Sequence, residues 1–138
     1  MTLNPCISLC FNGNCEAAFR FYELCLGGSI AFMLTWCDSP MAKDAPTDWG
    51  RKICHARLMF GDTALLGSDV PTQAYEAPRG FGLLLGIDHP EDAERLFHAL
   101  AENGVVRMPL QETFWALRYG SVTDQFGIPW EINCEKPQ

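Results

Sequence analysis

The chain lacks the features that would place it in a membrane or on a nucleic acid. No run of about 18 apolar residues occurs, so no segment reads as a membrane-spanning helix. Positive charge is scarce. Only 10 Lys and Arg stand against 17 Asp and Glu, a formal net charge of −7, which argues against nucleic acid or anionic membrane as a partner. The opening "MTLNPCISLC" has no basic stretch leading into an apolar one, so no secretory signal and a cytoplasmic location are expected. Seven cysteines are present, but they are odd in number and contain no C-x-x-C pair. A zinc knuckle and a disulfide framework are both disfavoured, and reduced thiols are expected.

What is present is the balance of a soluble globular protein, with 48% hydrophobic and 20% charged residues in 138. That length suits one compact domain and is too short for two ordinary ones. The chain also repeats itself. A shift of 76 places matches Ala17 with Ala93, Phe21 with Phe97, Leu24 with Leu100 and Gly28 with Gly104. Both sets lie in segments that read as helices of about a dozen residues. The first runs from near Cys15 to Leu26 behind Asn14 as a candidate N-cap. The second opens at Pro90, with Glu91 and Asp92 suited to the positive end of its dipole.

Strand-like runs surround each helix. "CISLCF" precedes the first, and "SIAFMLTW", "KICHARLMF" and "TALLGS" follow it. "FGLLLGI" precedes the second, and "GVVRMPLQ", "LRYGSVTD" and "IPWEINC" follow it. The expected fold is α+β, a βαβββ module used twice in tandem, with modules of about 1–68 and 80–138. Residues 37–50 read as a long loop, and 68–80 as the linker.

The same shift of 76 places His55 on Glu131, each in a strand and on the side opposite its apolar neighbours. Equivalent places in a duplicated fold tend to converge, and an imidazole with a carboxylate suits Zn²⁺, Fe²⁺, Mn²⁺ or Ni²⁺. The alternative is a hydrogen-bonded His55 on a polar strand face and a solvated Glu131. Cys6, Ser8 and Cys10 share one face of the first strand by alternation, where they line a pocket or pack as small residues. Phe114, Trp115, Arg118 and Tyr119 combine aromatic walls, a cation and a phenol, a composition suited to a small ligand.

"FNGNCEAAFRFYELCLGG", "ICHARLMFGDTALLGSD" and "FWALRYGSVTDQFGIPWEIN" together resemble the PhnB-like branch of the glyoxalase/bleomycin-resistance/dioxygenase proteins, the vicinal-oxygen-chelate superfamily. The resemblance spans nearly the whole chain. It implies paired βαβββ modules forming a curved mixed sheet around a cavity, within a homodimer. It also implies metal ligands on the first and last strands of each module. His55 and Glu131 are then the last-strand places, and Cys6 and Gly82 mark the first-strand ones. Gly82 has no side chain to offer and Cys6 is an unusual substitute for the His expected there. Ala116 stands where the family usually has Gly. The methyltransferase label sometimes given to PhnB-like proteins finds no glycine-rich turn that would hold S-adenosylmethionine.

Two functions follow as expectations. One is a divalent-metal enzyme of lyase, isomerase, oxygenase or transferase type, in which the ion polarises two substrate oxygens and Glu131 moves a proton. The other is a metal-free protein that sequesters a small organic molecule in an aromatic cavity, with Glu131 pairing a ligand amine.

Overall fold

The computed structural model describes residues 1–138. Two units follow one another along the chain, Met1–Glu76 and Ala77–Gln138. The first contains β1 (Ile7–Phe11), α1 (Cys15–Leu26), β2 (Ser29–Thr35), β3 (Ile53–Phe60) and β4 (Thr63–Asp69). The second contains β5 (Leu83–Gly86), α2 (Pro90–Ala101), β6 (Val105–Gln111), β7 (Ala116–Thr123) and β8 (Pro129–Glu135). Each makes a four-stranded mixed sheet, in the orders β1-β4-β3-β2 and β5-β8-β7-β6. The first and last strands of each unit pair in parallel and the rest are antiparallel. These are the tandem βαβββ modules expected. No helix is long and apolar enough to cross a membrane.

Each helix covers one face of its own sheet. Cys15, Ala18, Phe19 and Tyr22 are the buried stripe of α1, and Ala93, Phe97 and Leu100 that of α2, at the three-to-four spacing of an amphipathic helix. Beneath them lie Leu9, Phe11, Leu58 and Leu65 in the first unit and Val122, Trp130 and Ile132 in the second. The helices approach closely because a glycine sits under an aromatic ring in each unit. A Cβ on Gly67 would lie 2.6 Å from the Phe19 ring, and one on Gly120 would lie 2.8 Å from the Phe97 ring.

The start of α1 is capped from outside the helix. Asn14 occupies the N-cap position but its side chain makes no capping bond. Asp69 of β4 does the work instead. Its Oδ1 accepts from the N–H groups of Gly13 at 3.0 Å and Cys15 at 2.9 Å, and its Oδ2 accepts from Ile53 N–H at 2.8 Å. One buried carboxylate thus satisfies donors at the helix terminus and on β3.

The internal repeat is real, but a single shift of 76 does not describe it. Ser29 and Val105, at the starts of β2 and β6, are 76 apart, whereas their partners Met59 and Thr123 are only 64 apart. Leu65 and Trp130, paired with the buried Leu58 and Val122, are 65 apart. Residues 36–52 make a long irregular connection between β2 and β3, whereas 112–115 suffice between β6 and β7. The helices are also out by one. Leu24 is 86% exposed while Leu100 is fully buried, so Tyr22 rather than Phe21 matches Phe97. Gly28 and Gly104 do correspond: a Cβ on either would strike a strand carbonyl, Met59 O at 2.6 Å or Thr123 O at 2.5 Å.

Candidate functional site

The face of each sheet away from its helix is where polar and exposed groups collect. In the second unit this face carries Glu131 and Asn133 from β8 and Leu117, Tyr119 and Ser121 from β7. Alternation sets them opposite the buried Trp130, Ile132 and Val122. The Tyr119 hydroxyl donates to Glu131 Oε1. That hydrogen bond, followed by desolvation and the carboxylate's charge, pushes the Tyr119 pKa up to about 12. The phenol therefore stays protonated and keeps its donor aimed at Glu131.

The other carboxylate oxygen has a different neighbour. A Cβ built on Gly82 would lie 2.8 Å from Glu131 Oε2, so any larger residue there would displace the carboxylate. Glu131 fills the space that a first-strand side chain would occupy. It also lines a cavity of about 270 Å³ together with Phe81, Arg107, Tyr119 and Ser121. Arg107, from β6, is held at the side by its Nε–H donating to Thr123 Oγ1 at 3.1 Å.

Asn133, two residues along β8, continues the polar row. The Trp115 indole N–H donates to Asn133 Oδ1 at 3.0 Å, and the Trp115 ring meets the Tyr119 ring edge-on at 5.2 Å between centroids. Phe114 packs edge-on against Trp115 at 4.8 Å and is otherwise 89% exposed. Asn133 lines a second cavity of about 500 Å³ with Leu84, Asp88, Leu117 and Glu135. Trp115, Tyr119, Glu131 and Asn133 thus form one connected group, with aromatic faces beside fixed polar atoms.

Arg118 does not belong to this group, contrary to expectation. It lies one residue from Tyr119 and so points to the opposite face, where its Nε donates to Glu94 Oε1 of α2 at 3.0 Å. Ala116 is likewise fully buried on the helix side, so its methyl lies away from the polar row.

In the first unit, Ser8 and Cys10 are exposed on β1 opposite the buried Leu9 and Phe11. Cys6 lies just before β1 and lines a cavity of about 420 Å³ with Arg57, Met59 and Asp62. His55 is exposed on β3, its ring 5.0 Å from that of Phe32.

The strand placement of His55 corrects the metal expectation. His55 is on β3, the penultimate strand of its module, whereas Glu131 is on β8, the last. Registered through the glycine contacts and strand pairs, His55 corresponds to Tyr119 and Glu131 to Leu66. The last-strand ligand place of the first module therefore holds a leucine. No three His, Cys, Asp or Glu side chains gather to hold an ion. With Leu66 and Gly82 at two ligand places, the donor set does not fit a divalent metal bound in the manner the resemblance implied.

Arg57 and Arg107 stand in no motif that the sequence offers. Asn133 had a signal, since it shares a strand face with Glu131 two residues away. Arg57 had the same relation to His55.

Comparison with known proteins agrees with this architecture. The family described as "Glyoxalase/Bleomycin resistance protein/Dioxygenase superfamily" matches residues 6–132. Protein YjdN of Escherichia coli (strain K12) is 34% identical over 146 residues, covering 100% of this chain and 98% of that protein. Among solved structures, protein PA1353 from Pseudomonas aeruginosa is 47% identical, with a TM-score of 0.90 over 99% of this chain and 100% of that one. The PhnB protein from Bacillus cereus shares the fold, with a TM-score of 0.80 at 19% identity over 96% of this chain and 99% of that one.

Proposed function

Since the chain belongs to the glyoxalase/bleomycin resistance protein/dioxygenase superfamily, we propose that it binds a small organic molecule without a metal, through the polar row of its second module. The ligand class is an aromatic or apolar body bearing a protonated amine. The observation that carries this reading is the division of labour at Glu131. Oε1 accepts a hydrogen bond from the Tyr119 hydroxyl, while Oε2 remains an acceptor at Gly82 beside the cavity. A carboxylate held in this way is prepared to accept from a ligand ammonium. Trp115, fixed by its bond to Asn133, supplies a rigid face for the apolar part.

Sequestration rather than turnover is favoured by the same arrangement. The phenol retains its proton up to about pH 12, and Glu131 is already engaged by it. The phenol is therefore not available as a base near neutral pH. Homodimerisation belongs to this proposal. The outer strand β6 exposes Val105, Val106 and Met108 at 52, 46 and 40%, an apolar edge that a second copy would cover.

The test is equilibrium titration with phenethylamine, its neutral alcohol analogue and its carboxylate analogue, followed by Trp115 fluorescence with Trp115→Phe as the assignment control. The amine should bind in preference to both analogues, and Glu131→Gln should weaken it about tenfold or more. Equal binding of amine and alcohol would sink the reading. Metal content of the purified protein supplies the second arm. A near-stoichiometric ion that is lost in a His55→Ala/Glu131→Ala double variant would overturn the metal-free part.

A further inference from the structure

The first unit has two buried side-chain donors without an acceptor, the Trp49 indole N–H and Arg57 Nε, and only the second belongs to a cation. Arg57 lies on β3, on the face away from α1, between Leu66 of β4 and Phe32 of β2. Its Nε is buried and has no hydrogen-bond acceptor. Carboxylates are not in short supply, since the chain has 17 Asp and Glu. Arg20, Arg95 and Arg118 each pair with one, namely Glu16, Asp92 and Glu94. Arg57 pairs with none. Asp62 lines the same cavity without forming an ion pair with it.

The surroundings hold the guanidinium without satisfying it. Its central carbon lies 6.0 Å from the centroid of the Phe32 ring, which in turn stands 5.0 Å from the His55 ring. A ring face attracts a cation but accepts no in-plane N–H. The Nε–H in the guanidinium plane is therefore left over, beside a cavity of about 420 Å³ that Cys6, Met59 and Thr63 also line. A buried donor without an acceptor is costly, and a planar two-oxygen group meets a guanidinium fork with two parallel bonds.

The second module differs at the corresponding places. There Ser121 pairs with Glu131, where the first module pairs Arg57 with Leu66. The same register position carries a cation in one module and its neighbour a carboxylate in the other. The duplicated units thus carry side chains of opposite charge at adjoining places on this face.

We propose that the cavity beside Arg57 is a binding site for a small oxyanion, a carboxylate or phosphate group, gripped by the Arg57 fork.

The test follows the Arg57 Nε–H signal by NMR in the full-length protein, titrated separately with benzoate, inorganic phosphate and, as control, chloride. A saturable shift with benzoate or phosphate at concentrations at least tenfold below those at which chloride acts is the expected result. Benzoate alone identifies an organic carboxylate, and phosphate alone a phosphate group. Arg57→Lys keeps the charge but loses the fork, and backbone amide shifts of the strand residues around the cavity, followed in both proteins, should show binding weakened at least tenfold. Glu131→Gln should leave it unchanged, which separates this proposal from the preceding one. If Arg57→Lys does not fold, the parent titration with the two oxyanions and chloride still decides. No saturable shift with either oxyanion, or a Lys variant that binds as tightly as the parent, would overturn the proposal.

Discussion

Tyr119 and Glu131 sit diagonally across β7 and β8, and the phenol donates a hydrogen bond to the carboxylate. Glu131 is paired directly with Ser121, so its bond to Tyr119 runs along the sheet face by two residues, within reach of long side chains. That diagonal orients both groups and leaves Oε2 to the cavity. The alkaline behaviour of the protein should reflect it. The Tyr119 pKa is raised from the ordinary value near 10 to about 12. Its folded value thus exceeds its unfolded one, so its stabilising contribution is complete below about pH 10 and is lost as pH rises through about 12. Spectrophotometric titration, with Tyr119→Phe to assign the transition, should show a late phenol that moves back toward about 10 in Glu131→Gln. A parent Tyr119 that ionises near 10 would contradict this account.

Asp69 should prove one of the most sensitive polar positions for stability. Its removal leaves the N–H groups of Gly13, Cys15 and Ile53 without their acceptor. Each buried, unmet donor costs about 1–3 kcal/mol, so Asp69→Ala should lose roughly 3 kcal/mol or more in urea unfolding. Asp69→Asn keeps one acceptor oxygen and should fall between the two. A loss below about 1 kcal/mol for the alanine variant would show that the cap is dispensable.

Two glycine variants should behave in opposite ways. Alanine at Gly104 would place a Cβ 2.5 Å from the Thr123 carbonyl oxygen, a backbone atom that cannot swing aside. A destabilisation of about 1–3 kcal/mol or more is expected, as for other overpacked sites. Alanine at Gly86 meets nothing within 4 Å. There the loss of freedom in the unfolded chain should stabilise by about 0.4–1 kcal/mol. Thermal or urea unfolding of both would check the contrast, and equal effects would count against it.

Arg118 serves as a negative control for the site. It pairs with Glu94 on the helix side of the sheet, and both side chains are partly exposed, at 40 and 45%. Arg118→Ala should change phenethylamine binding by less than about twofold and stability by about 0–1 kcal/mol. Trp115→Ala, by contrast, removes the aromatic face and frees Asn133, and should weaken binding several-fold. A strong binding defect in Arg118→Ala would mean that the two faces are coupled.

The elements were legible from periodicity because their signals are local. All eight strands and both helices appear where alternation and three-to-four spacing place them, and Pro90 opens α2 as its fixed φ suits. Glu131 was legible too, as a carboxylate alternating with buried Trp130 and Ile132. The pairing of Glu131 with His55 was not. It rested on one constant shift, and the long connection at 36–52 changes that shift between β2 and β3. The three identities inside the helices misled as well, whereas Gly28 and Gly104 do correspond. Ala17 and Leu24 match their counterparts in type, but Ala18 and Tyr22 do the burying.

Arg118 failed for a related reason. Composition placed it beside Trp115 and Tyr119, yet a strand sends adjacent residues to opposite faces, and Tyr119 and Arg118 are adjacent.

The sequence by itself determined the α+β class, the order of elements and the absence of a long apolar helix, because these depend on patterns within a dozen residues. It also determined the family, through segments spread over nearly the whole chain. Tertiary structure decided which side chains meet. The Asp69 cap joins residues more than fifty positions apart, the Arg57 donor is unmet only once β2 and β4 flank it, and Glu131 finds Tyr119 only through the β7–β8 register. Register and loop length set those meetings, and neither is written in the local pattern.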